Sequence, residues 1–129
     1  MPLQPVSSGP LAGYRVLVVE DEYFLADDIV RALQSLGARV IGPCGELEDA
    51  TQMLDSDGTI DAAVVDINLR SEMVFPLARI LKQRNIPFVF TTGYDREAIG
   101  AEFHDIRLWE KPVDLAAMAR DLSNLIRSR

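Results

Sequence analysis

The chain has 129 residues, 48% of them hydrophobic and 26% charged, with a formal net charge of −7 and a single cysteine. That length and composition fit one domain with one ordinary core, and no apolar run approaches the length of a membrane span. The lone Cys44 excludes an internal disulfide and a cysteine-based zinc site and fits a reducing cytoplasm, while the negative surface argues against binding nucleic acid.

The first residues, Met1 to Pro10, are rich in Pro, Ser and Gly and lack the basic start and apolar stretch of a secretory signal. A flexible tail is expected over residues 1–12 and one folded domain over 13–129. The first strand is expected from Tyr14 to Glu20. A helix should follow from Glu22 to Leu36, with apolar positions at Phe24, Leu25, Ile29, Ala32, Leu33 and Leu36 close to the helical period. Gly37 can take the left-handed conformation that stops it. Arg39 to Pro43 reads as the second strand and Glu46 to Asp55 as the second helix. Asp57-Gly58 marks a turn. Ala62 to Asp66 is apolar on both faces, as a central parallel strand should be. Asn68 to Met73 reads as loop and Phe75 to Arg84 as the third helix, with Pro76 tolerated in its first turn. Pro87 to Thr91 is the fourth strand. A weak helix over Asp95 to Phe103 is broken by Gly100. Ile106 to Glu110 is a short fifth strand, and the last helix runs from an Asp114 N-cap to Arg127.

Five strands alternating with five helices predict an α/β fold: a doubly wound (βα)5 parallel sheet covered on both faces. Strand order 2-1-3-4-5, the flavodoxin-like arrangement, has its switch point between the first and third strands. Ligands bind there, at the carboxyl ends of the strands, and Glu20, Asp21 and Asp66 fall at that point. Three carboxylates brought together repel one another unless a divalent cation joins them. Mg²⁺ is a hard ion that takes oxygen ligands and keeps waters, which suits such a site. Lys111 offers a compact positive charge to a phosphoryl oxygen and Thr92 a hydroxyl. Asp66, at the end of the central strand, is the best placed nucleophile, and its attack would give an aspartyl phosphate.

Taken singly, each residue has a plainer reading. Asp66 alone could cap a helix, Glu20-Asp21-Glu22 could be a solvated first turn that favours the helix dipole, and Lys111 could be an ordinary surface lysine. His104, the only histidine, reads as a surface residue, Cys44 as a small buried apolar one and Trp109 as a packing residue. Arg79, Lys82 and Arg84 read as solvated. Of Thr91 and Thr92, alternation should turn one to the core and one to the site.

Together, Val19-Glu20-Asp21-Glu22, Val65-Asp66-Ile67-Asn68-Leu69, Thr92-Gly93 and Lys111-Pro112 resemble the motifs of bacterial response-regulator receiver domains, from about Gly13 onward. The resemblance implies the receiver fold and roles position by position. Glu20 and Asp21 match the acidic pair that holds Mg²⁺, Asp21 directly and Glu20 through water. Asp66 matches the phosphorylated aspartate, Asn68 the residue whose backbone carbonyl completes the metal site, Thr92 the switch hydroxyl and Lys111 the lysine on the phosphoryl group. The Lys111-Pro112 bond is often cis in such domains.

One departure is Leu108, where receivers commonly carry the Tyr or Phe that swings inward with the threonine. Phe90-Thr91-Thr92-Gly93-Tyr94 resembles the signature of the FAT GUY subgroup, and Tyr94 is then expected to report phosphorylation. By that resemblance this is a stand-alone, cytoplasmic regulator rather than a metabolic enzyme. It would take its phosphoryl group from a histidine kinase, HWE type included, or a phosphotransfer protein. It would signal through a protein effector, with a homodimer possible and no membrane or nucleic-acid partner. Two rivals stand beside this reading. A phosphorylation-independent pseudo-receiver is kept open by Leu108. A haloacid-dehalogenase-type phosphohydrolase expects Asp where Asn68 stands.

Overall fold

Two-residue alternation along the strands divides the interior into two layers. The computed structural model describes residues 8–56, 58–69, 72–93 and 99–128. Its elements in chain order are β1 (Arg15–Val19), α1 (Tyr23–Ser35), β2 (Arg39–Cys44), α2 (Leu47–Ser56), β3 (Ala62–Asp66), β4 (Asn68–Leu69), β5 (Glu72–Met73), α3 (Phe75–Gln83), β6 (Phe88–Thr92), β7 (Arg107–Glu110) and α4 (Leu115–Ser128). The parallel sheet has the order β2-β1-β3-β6-β7. Numbered without the small β4–β5 pair, this is the expected 2-1-3-4-5.

Val16, Val18, Ala62, Val64 and Val89 pack with Ile29 and Leu33 of α1 and Met118, Leu122 and Ile126 of α4. Their neighbours Leu17, Val19, Ala63, Val65, Phe88 and Phe90 pack with Ala50 and Leu54 of α2 and Leu77, Ala78 and Leu81 of α3. Successive side chains of a strand point to opposite faces, so each apolar strand feeds both layers. Asp114 caps α4 as expected, its Oδ1 accepting from the Ala117 N–H at 3.1 Å.

Several expectations are corrected. Residues 8–12 are not a loose tail: Leu11 is fully buried and its N–H donates to the Leu36 carbonyl at 2.8 Å. Gly37 allows this approach. It has φ +99°, and a Cβ there would lie 3.0 Å from the Ala12 backbone. Asn68–Leu69 and Glu72–Met73 are not plain loop but an antiparallel pair, Asn68 opposite Met73. The weak helix does not extend to Phe103. Gly100 is extended (φ −65°, ψ 166°), leaving one 3₁₀ turn over Ala101–Phe103, and Asp95 to Ala98 lie outside the described residues.

Phe24 is not on the packed face of α1. It is 81% exposed beside Tyr23 at 82%, with the two rings edge to face 5.6 Å apart. The buried stripe is Ala26, Ile29 and Leu33, and Phe24 lies about 200° round the helix from Ala26. Arg79, Lys82 and Arg84 are not simply solvated. They pair with Glu102 at 2.8 Å, Asp105 at 3.3 Å and Asp55 at 2.7 Å, exposed contacts that contribute little to stability. His104 is exposed, and Trp109 packs at the edge of the α1/α4 layer. Cys44 is buried, which raises its thiol pKa, and the nearby Asp49 charge adds to that. Among the described residues no helix is long and apolar enough to cross a membrane.

Phe90 anchors the α2/α3 layer, with ring centroids of Phe75, Phe88 and Phe103 at 6.3, 5.4 and 5.7 Å. Phe90→Ala should therefore lower the unfolding free energy by about 3–5 kcal/mol, measured by urea titration.

Candidate functional site

β1 and β3 pair in register, Val19 opposite Val65, so the next residues of both strands emerge side by side. These are Glu20 and Asp66. Asp21 follows, and one carboxylate oxygen from each of Glu20, Asp21 and Asp66 lies within 4.8 Å of the others. Glu20 and Asp66 are each only 3% exposed.

Lys111 closes the cluster from the end of β7. Its N–H donates to the Thr92 carbonyl at 2.8 Å, and its bond to Pro112 is cis, as the resemblance implied. Its ammonium Nζ lies 3.0 Å from Asp66 Oδ2, 3.1 Å from Glu22 Oε1 and 3.4 Å from Glu20 Oε1. The Asn68 N–H donates to the other Asp66 oxygen, Oδ1, at 3.2 Å, and the Glu22 N–H to Glu20 Oε2 at 2.9 Å.

The electrostatics follow from this crowding. Burial pushes the Glu20 carboxyl up to about 8 and the Asp66 charge adds to it, against the Glu22 N–H and the Lys111 ammonium. Burial alone would lower Lys111, but the hydrogen bond and charge of Asp66, with Glu20 and Glu22, hold it above its ordinary value. Glu20 Oε1 is buried without a hydrogen bond, since Lys111 at 3.4 Å is outside bonding geometry. A buried carboxylate oxygen left bare in an all-oxygen donor set is what a hard divalent cation requires, so the residues present fit one.

Thr91 and Thr92 are both buried, and Thr91 Oγ1 has no hydrogen-bond partner. Leu108 is half-buried and packs against the α2/α3 layer. Tyr94 lies outside the described residues. A groove of about 450 Å³ opens beside the acidic cluster, between the first turns of α1 and Pro43–Gly45.

No known family profile matches the chain. It is 34% identical to SdrG from Sphingomonas melonis Fr1, whose solution structure superposes with a TM-score of 0.77 over 92% of this chain and 98% of that one. It is 32% identical, with a TM-score of 0.72, to the BeF3-activated conformation of SdrG from Pseudomonas melonis Fr1, over 94% of this chain and 99% of that one. A response regulator receiver protein from Sinorhizobium medicae WSM419 is 26% identical, with a TM-score of 0.78 over 89% of this chain and 95% of that one. The chain belongs to the response-regulator receiver domains. This receiver also matches, at 25% identity over 122 residues, the uncharacterized transcriptional regulatory protein YbdJ of Bacillus subtilis (strain 168). The match covers 90% of this chain and 52% of YbdJ, so the receiver spans about half the length of that curated relative.

The fold thus gathers Glu20, Asp21, Asp66 and Lys111 at one point, with Asn68 and Thr92 joined to it through their backbones. Glu22, the third residue of the run Glu20-Asp21-Glu22, joins the site through Lys111 and was not among the residues expected there. Its contact spans 89 residues of chain, and only the third successive carboxylate signalled it.

The Glu20 shift sets a pH dependence. In the cation-free protein Glu20 binds its proton more tightly when folded (pKa about 8) than at its reference value of 4.5. Its contribution to stability is fully present below about 4.5 and is lost as pH rises towards 8. Thermal unfolding of wild type and Glu20→Gln without divalent cations should show the variant gaining on wild type across that window. Added Mg²⁺ should stabilise wild type more than the variant.

Proposed function

We propose that this receiver accepts a phosphoryl group on Asp66 from a phosphohistidine of a histidine kinase or phosphotransfer protein. It then signals through a protein effector in the cytoplasm. The observation that carries the proposal is the Lys111 ammonium 3.0 Å from Asp66, within a trio of carboxylates at the strand ends of which Glu20 and Asp66 are buried.

An Asp66 carboxylate oxygen attacks phosphorus. The O–P bond forms as the N–P bond breaks, and the bonding pair returns to the imidazole nitrogen. Lys111 stabilises the phosphoryl oxygens as charge shifts, and the Thr92 hydroxyl supplies a donor to the phosphoryl group once it is in place. Asp21 and Asp66, with Glu20 through water and the Asn68 carbonyl, would hold Mg²⁺, which supplies charge neutralisation at the phosphoryl oxygens. The existence of a BeF3-activated conformation of the relative SdrG supports this chemistry, because trifluoroberyllate on a carboxylate has the shape of a phosphoryl group.

Within the family, Phe90-Thr91-Thr92-Gly93-Tyr94 together with Leu108 favours the FAT GUY subgroup, with an HWE-type kinase as donor. Tyr23 and Phe24 offer that donor an apolar contact beside the site.

Intact-protein mass spectrometry after incubation with phosphoramidate tests the chemistry. Wild type should gain one phosphoryl group in a Mg²⁺-dependent way and Asp66→Asn should gain none. Failure of wild type to react would favour the phosphorylation-independent pseudo-receiver. Phe24→Ala should react with phosphoramidate at the wild-type rate but accept from its phosphorylated kinase about tenfold more slowly, a loss of about 1.4 kcal/mol of contact. Equal slowing with both donors would place Phe24 in the chemistry rather than in the contact.

A further inference from the structure

Glu22 stands at the start of α1 with its side chain engaged by Lys111 rather than by its own helix. It is the N-cap of α1, with extended backbone (φ −80°, ψ 112°), yet its side chain makes no capping hydrogen bond. The short carboxylate of an N-cap Asp accepts an N–H of the first turn, a task for which the longer Glu is not among the preferred residues. Here Glu22 Oε1 instead accepts from Lys111 Nζ at 3.1 Å, across 89 residues of sequence. Its own N–H meanwhile holds Glu20 Oε2 at 2.9 Å. One residue is thus tied to both the buried acid and the lysine of the site.

The burial of the partners separates their tasks. The side chains of Glu20 and Asp66 are 1% and 4% exposed, that of Lys111 18% and that of Glu22 60%. Lys111 is therefore held between an inner carboxylate, Asp66, and an outer one, Glu22. Both Asp66 oxygens are occupied in this state, Oδ1 by the Asn68 N–H and Oδ2 by Lys111. A hydrogen bond from the ammonium draws electron density from Oδ2, so Asp66 attacks phosphorus best when Lys111 loosens that bond and remains close enough to meet the incoming phosphoryl oxygens. A carboxylate on the solvent side provides the station it moves to. Without that station the ammonium settles on Asp66 and Glu20, 3.0 and 3.4 Å away, and keeps the nucleophile engaged.

We infer that Glu22 is a positioning residue, which draws Lys111 outward from Asp66 and so holds it ready for the arriving phosphoryl group. The inference rests on the phosphoryl-acceptor reading above and adds to it a residue with a defined reach.

The test compares Glu22 with Gln, Asp and Ala at this position, by the rate of phosphoryl adduct formation from phosphoramidate with Mg²⁺. Gln keeps an acceptor at the right reach. Asp keeps the charge but is one methylene short, and it remains a good helix cap. Positioning predicts the order Glu, then Gln, with Asp and Ala together slowest, about fivefold below wild type. Exposed Asp28 on the same helix serves as the control, and Asp28→Asn should react as wild type does. A general field effect predicts that Asp equals Glu and that Gln falls to Ala. A capping role also makes Asp at least as good as Glu. Either order, or four equal rates, overturns the inference.

If wild type forms no adduct, the acceptor reading itself fails. A double-mutant cycle of Glu22→Ala and Lys111→Ala on thermal midpoints without cations then decides whether Glu22 holds Lys111. Non-additive shifts support the contact, and additive shifts overturn it.

Discussion

The site depends on like charges held closer than they would stay in water. Pairing β1 with β3 in register forces Glu20 and Asp66 to emerge as neighbours, and the chain places Asp21 beside them. Repulsion and lost hydration both oppose this, and the strain appears as the raised carboxyl of Glu20. The ammonium of Lys111, arriving from the far end of the sheet, offsets part of it. The apolar layers on either side keep the strands in register and so hold the carboxylates together. The closeness of the three carboxylates is thereby built into the packing of Val16 to Val19 against Ala62 to Val65.

The two layers also explain how Glu20 and Asp66 stay buried. α1 and α4 cover one face of the sheet and α2 and α3 the other, and their first turns and preceding loops rim the strand ends. Phe90 and Phe103 lie in the α2/α3 layer, and Leu108, from the neighbouring strand, packs against it. The position that commonly carries an aromatic ring in this family is thus filled by an aliphatic side chain beside a cluster of four phenylalanines, Phe75, Phe88, Phe90 and Phe103.

Most of the fold was legible because parallel strands buried on both faces announce themselves as apolar runs. Each ends in a polar residue where it leaves the sheet, as Asp66 and Thr92 do. What was not legible depended on contacts distant in sequence. Nothing local to Leu11 says that the end of α1 will meet it. Phe24 fits an apolar tally but not the angle of the buried stripe, and periodicity counted loosely accepts it. Arg79 and Lys82 look solvated until the segment carrying Glu102 and Asp105 is folded against α3. Asn68 to Met73 is too short for an alternation signal to mark it as a strand pair. At the site, the acidic pair, Asp66, Thr92 and Lys111 stood out by their places at strand ends. The reach of Glu22 depended on how the β7–α4 connection returns, which no local pattern encodes.

The outer strand β2 carries a further consequence. Its pairing with β1 slips between Ile41 and Cys44, where Gly42 and Pro43 oppose the single residue Val18. Gly42 has φ +97°, and a Cβ there would come within 2.9 Å of the Val18 carbonyl oxygen. Pro43 has no N–H to offer. A bulge and a missing donor blunt the border of the sheet, where an open ladder would otherwise recruit another extended chain. Growth of the sheet from that side is discouraged, which leaves β7 as the edge with a regular ladder.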